Sequence, residues 1–164
     1  MSALFDKHHD ALRKAIDAVH HRTFYAHYPE HPKAYGPDAP AQGQAAFDNQ
    51  LNNPFAELLQ TGSTTHVGEE ESPYWGTDLG ISYPATPVDV LVGNAKHAHA
   101  AWRKTSVKER TALLMESLDR VKNRFFEIAY ATQHTTGQSF MMSFQASGPH
   151  AADRAMETIA IGYQ

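Results

Sequence analysis

The chain has 164 residues, 14 Lys plus Arg against 18 Asp plus Glu, and a formal net charge of −4, a length suited to one domain and a charge too negative for a general nucleic-acid binder. Cysteine is absent, which removes disulfides, thiolate metal ligands, Fe–S clusters and a cysteine nucleophile from the chemistry these residues can perform. Leu, Ile, Val and Phe together make up only about 18% of the chain while alanine alone supplies 24 residues, so a thin core is expected.

Residues 3–22 place Leu4, Leu12, Ala15, Ile16 and Val19 at helical spacings without Pro or Gly, which predicts an amphipathic helix. Eight of the nine prolines and six of the ten glycines lie in residues 29–87. This tract reads as turns and an extended arm, with a short helix from about Pro40 or Gln42 to Leu51, a turn near Pro54 to Leu59, and Leu79 to Tyr83 as the one strand. Ordering such a tract costs roughly 1–2 kcal/mol of backbone entropy per residue, and it carries few apolar groups, so it is expected to need a neighbouring surface. Thr86 and Pro87 then mark a helix start, followed by Val88, Leu91, Val92, Ala95, Ala98 and Trp102 at helical spacing. Ser106 and Glu109 form a capping box. Behind it the stripe from Leu113 to Ala129 predicts one long helix ended by Gly137. Phe140 to Phe144 form a soft apolar patch, and a last helix is expected from about Pro149 to Ile161. The fold class is therefore mainly α, with four to five helices, long extended connections and little strand. The organisation is read as an N-terminal helix (1–28), a Pro/Gly-rich arm with a short helix (29–87) and a helical layer (88–164).

Eleven histidines invite a metal reading, six of them before Lys33. On one helix the pair His8, His9 lies about 16–20 Å from His20, His21, too far to share an ion, and Pro29 interrupts His27 and His31. These side chains, with His97 and His99, are read as solvated surface histidines, and His134 as a cation near a helix C-terminus. No metal ligand set is assigned. Glu69 to Glu71 alternate sides on an extended chain and read as a solvated loop. Lys104, Lys108, Arg110, Arg120, Lys122 and Arg124 are interleaved with Glu109, Glu116, Asp119 and Glu127, a pattern of a solvent-facing helix rather than a phosphate track. No dinucleotide, P-loop, zinc-protease or nucleophile-elbow motif occurs, and no catalytic residue is assigned. No apolar stretch approaches the ~20 residues of a membrane span and no leader pattern opens the chain, so a soluble, cytoplasmic protein is expected. The one candidate site is the patch Phe140, Met141, Met142 and Phe144, which reads either as helix-to-helix core or as a passage wall for an apolar substrate.

One stretch carries a resemblance. Ala95, Ala101-Trp-Arg103, Arg110, Leu114, Asp119-Arg-Val121, Phe126-Glu-Ile-Ala129 and Thr135-Thr-Gly137 resemble the N-terminal helical pair of the aldehyde dehydrogenase superfamily. Tyr28-Pro-Glu30, Tyr35-Gly36, Phe55, Ser72-Pro-Tyr74, Leu79 to Pro84 and above all His134 to His150 narrow the likeness to its PaaN-like branch of phenylacetic acid degradation. Gln138 stands where many superfamily members carry Lys after the glycine. The resemblance implies an α/β parent of which this chain is the N-terminal helical layer, with a nicotinamide-binding domain, a catalytic domain with cysteine nucleophile and glutamate base, and an oligomerising arm. It implies NAD(P) for the full-length protein but none bound by this segment. The implied partner is the remaining polypeptide or another subunit in a homo-oligomer, with no nucleic acid or membrane. The competing expectation is a free-standing helical interaction module without enzymatic activity.

Overall fold

The computed structural model describes residues 3–63 and 65–164. Among them are seven α-helices: α1 (Ala3–His21), α2 (Ala39–Asp48), α3 (Val88–Trp102), α4 (Val107–Lys122), α5 (Phe125–Thr136), α6 (Phe140–Ser147) and α7 (Pro149–Tyr163). Four short strands, β1 (Thr65–Val67), β2 (Glu71–Ser72), β3 (Thr77–Asp78) and β4 (Tyr83–Ala85), form two antiparallel ribbons, β1 with β4 and β2 with β3. The mainly helical class expected from composition holds. The single strand expected over Leu79 to Tyr83 does not, because Leu79 and Ile81 turn inward and are buried against Phe47, leaving only Tyr83 to begin β4.

Helices α1, α4 and α7 pack on one another, and α6 lies between α5 and α7. Their shared core holds Phe5, Leu12, Met115, Met156 and an aromatic group of Tyr28, Phe125, Phe126 and Phe144. Aromatic rings thus supply the volume that the alanine-rich composition withholds.

The long helix expected from Ser106 to Gly137 is two helices. The capping box at its start is present, Ser106 accepting from the Glu109 N–H while Glu109 Oε2 accepts from the Ser106 N–H at 3.0 Å. The break falls at Asn123 and Arg124, where Arg124, at φ −114° and ψ 9°, departs from the helix. Phe125 and Phe126, the first two residues of α5, are both buried, so the start of the new helix is seated in the core by two adjacent rings. Gly137 ends α5 at φ 74°, the left-handed conformation that glycine adopts without a Cβ penalty. At α3 the cap residue is Pro87, with no side-chain cap; Thr86 Oγ1 is buried without a partner among the described residues.

The Pro/Gly-rich tract finds its supporting surface inside the chain. Helix α2 lies on α5, and Gly43 is what allows the approach: a Cβ there would sit 2.2 Å from Phe126 Cβ and 2.8 Å from the Glu127 nitrogen. Further along, Phe47, Leu79 and Ile81 make a second small core, flanked by Leu51, Phe55, Tyr83 and Tyr130.

Candidate functional site

Three groupings of chemistry-bearing residues lie outside the plain core. In the first, Ser72 Oγ is 2.8 Å from His134 Nδ1, both groups buried. The Tyr74 and Trp75 backbone N–H groups donate to the same oxygen at 3.3 Å. With its acceptor positions taken, the hydroxyl donates to Nδ1, and the imidazole carries its proton on Nε2. The ring stacks on Phe47 at 5.2 Å and meets Trp75 at 3.9 Å. This serine–histidine pair is a joint fastening β2 to α5, since its oxygen is committed and out of solvent. His134 is therefore not the charged helix-end cation expected above: burial pushes its pKa below 6.5, and a second ring proton would face the Ser72 donor.

A pH dependence follows. A histidine depressed in the folded state contributes stability that is present above about pH 6.5 and lost as pH falls through its folded pKa, and His27, lowered by burial as well, acts in the same direction. The urea midpoint is expected to fall between about pH 7 and pH 5. H134N, which keeps an acceptor but does not titrate, should flatten that fall; equal slopes in variant and wild type would refute the assignment.

The second grouping joins α1 to α4. His8 Nε2 donates to Glu116 Oε2 at 2.9 Å, Lys7 Nζ lies 2.6 Å from the same oxygen, and Asp119 Oδ2 is 3.6 Å from Lys7. One ligand atom each from His8, Glu116 and Asp119 falls within 4.8 Å of the others. Sequence spacing could not reveal this set, because His8 lies 108 residues from Glu116. The Lys7 ammonium already stands between the two carboxylates, and with His8 it holds the Glu116 carboxyl down at about 2. The arrangement is an ion-pair tie between helices. Glu127 likewise is not on a solvated face: it is buried, and both Arg124 and Gln50 donate to it.

The residues Phe140, Met141, Met142 and Phe144 do not share a surface. Phe144 is fully buried, with Phe126 4.7 Å and Tyr35 5.7 Å away, and Phe140 is half-buried over Tyr130 at 4.8 Å. Met141 and Met142 face outward, 45% and 54% exposed. On one helix, positions one apart diverge and positions four apart align, so the two phenylalanines became core while the two methionines remained available. Phe144 is corrected from a passage wall to a core residue on this ground.

The third grouping is a helix rich in apolar residues that is not buried. Helix α3 reads VDVLVGNAKHAHAAW, with Asp89 and Lys96 its only formal charges. Yet fourteen of its fifteen residues are exposed, Val90 alone being half-buried. Leu91, Val92 and Trp102 are 38%, 45% and 40% exposed. Its ties to the rest lie toward its N-terminal half, where Asn94 Nδ2 donates to the Thr61 carbonyl at 3.2 Å. Exposed Leu91, Val92 and Trp102 on one helix make an apolar surface of the kind that is ordinarily covered. Sequence periodicity found the helix, but periodicity does not say which surface receives its apolar residues.

No protein-family model matches the chain. Among solved structures it is similar to the NAD-dependent aldehyde dehydrogenase from Burkholderia multivorans, with 45% identity and a TM-score of 0.90 over 98% of this chain and 29% of that one. The chain is related to the aldehyde dehydrogenase superfamily. Among curated proteins, the EPTC-inducible aldehyde dehydrogenase of Rhodococcus erythropolis is 30% identical over 118 residues, 71% of this chain and 22% of that protein. The chain thus spans less than a third of the length of either aldehyde dehydrogenase. Its residues do not fit a dinucleotide: among the described residues the strands are two antiparallel pairs of two or three residues, and no βαβ unit or glycine fingerprint is present. No helix of the described residues is long and apolar enough to cross a membrane.

Proposed function

We propose that this chain serves as the helical layer of a PaaN-like, NAD(P)-dependent aldehyde dehydrogenase of aromatic catabolism, lying against a catalytic body that supplies the nucleophile and the dinucleotide site. The observation that carries this reading is the uncovered apolar helix α3, in a chain related to aldehyde dehydrogenases more than three times its length. On this reading the layer contributes by covering and drying the catalytic body, and the chain alone is inactive because it has no cysteine. Met141 and Met142, adaptable and outward-facing, are proposed to border the substrate entrance, and the assembled enzyme to be a homo-oligomer. The competing reading, a free-standing interaction module, draws on the closed core between α1, α4 and α7.

A graft separates the two. Replacing the matching 29% of the Burkholderia multivorans enzyme with these 164 residues is expected to retain NAD-dependent aldehyde oxidation within about tenfold of the parent, a loss of no more than ~1.4 kcal/mol in transition-state stabilisation. The isolated chain should show none. Aldehyde oxidation by the chain alone, or a folded graft without activity, would overturn the proposal.

A further inference from the structure

Where α3 gives way to α4, a groove of about 300 Å³ opens toward α7, walled by Trp102, Val107, Leu114 and Ile159. Its walls are apolar and partly open, with Val107 and Leu114 both 47% exposed. One side chain in it is out of keeping: Arg110 lines the groove, and its Nε is shut off from solvent without a hydrogen-bond partner among the described residues. A guanidinium keeps its charge under all ordinary conditions and offers five N–H donors, so an occluded donor beside apolar walls asks for an acceptor, above all a carboxylate that can take two parallel bonds.

The neighbouring side chains of α4 do not provide one. Glu109 is held by Ser106, whose N–H and Oγ lie 3.0 and 2.8 Å from Glu109 Oε2, and Lys108 sits over the Phe5 ring at 5.5 Å. Arg103 and Lys104, both exposed, directly follow the groove residue Trp102 in sequence and add positive charge to that turn. An apolar trough lined by a guanidinium with an unmet donor is complementary to a segment that is apolar and acidic together.

We propose that the groove between α4 and α7 seats an apolar segment bearing a carboxylate, that this carboxylate pairs with Arg110, and that the segment belongs to the catalytic body. The inference rests on the preceding reading that such a body covers the layer, and adds the chemistry by which it is recognised. Apolar contact with Trp102, Val107, Leu114 and Ile159 gives the segment its seat, and the ion pair fixes its register.

The test uses the isotopically labelled full chain and a capped peptide probe of alternating leucine, alanine and glutamate, against a twin in which glutamine replaces each glutamate. The acidic probe is expected to shift the Trp102 indole and the Val107, Leu114 and Ile159 methyl resonances while leaving Trp75 in place. The glutamine twin, and the acidic probe on R110Q, should each bind at least about tenfold more weakly, with R110K intermediate because a lysine keeps the charge and loses the fork. Circular dichroism of R110Q matching the parent excludes a folding defect; if R110Q unfolds, the comparison of the two peptides on the parent chain decides alone. Equal binding of the two peptides, unchanged binding to a folded R110Q, or no groove shifts at millimolar peptide would overturn the inference. An active graft alongside any of those results would discard the groove and leave the catalytic-body reading standing.

Discussion

G43A is expected to destabilise the chain by about 3 kcal/mol, although alanine is the better helix former by about 1 kcal/mol. The sign is decided by what the new methyl meets. It would lie 2.2 Å from Phe126 Cβ and 2.8 Å from two backbone atoms of α5. Backbone cannot rotate aside, so α2 must lift from α5, loosening the Phe47 cluster as well. With a urea slope near 2 kcal/mol/M, the midpoint should fall by about 1.5 M. A rise in midpoint would mean that α2 is a solvated helix in solution and that the tract preceding the ribbons is not anchored on α5.

F144A should cost about 3–5 kcal/mol, the range for deleting a fully buried aromatic ring. The phenyl group is fully buried and meets Tyr35, Phe125 and Phe126 with centroids 4.7 to 6.5 Å apart. Neighbouring rings are rigid and pinned by their own contacts, so the cavity cannot close readily. M141A and M142A are the controls: both side chains are about half-exposed, and each should change stability by no more than about 0.5 kcal/mol. If all four positions of the patch proved equally costly, the division into core phenylalanines and free methionines would be wrong.

Much of the helical framework was legible in the sequence, and for identifiable reasons. The Ser106–Glu109 box, the left-handed stop at Gly137 and the proline that opens α7 are local signals whose partners lie within four residues. What was not legible depends on distant partners. His134 reads as a helix-end cation until Ser72 and Trp75, about 60 residues away in sequence, are seen to enclose it. Likewise the break between α4 and α5 has no Pro or Gly to announce it, and the helical periodicity of the apolar residues runs across it. The arm's dependence on a neighbour was anticipated from its composition, but the neighbour turned out to be α5 of the same chain. The candidate passage wall divided because contiguous sequence on a helix does not make contiguous surface.

Helix α3 bears most of the functional argument, and its amides offer a direct reading. Hydrogen exchange over residues 88–102 should be fast in the isolated chain, where only fraying-level protection is expected, and slow in the graft onto the Burkholderia multivorans catalytic body, approaching the protection of α4 and α5. Slow exchange of α3 in the isolated chain, or exchange in an active graft as fast as in the chain alone, would contradict the claim that this face is covered by the rest of an aldehyde dehydrogenase.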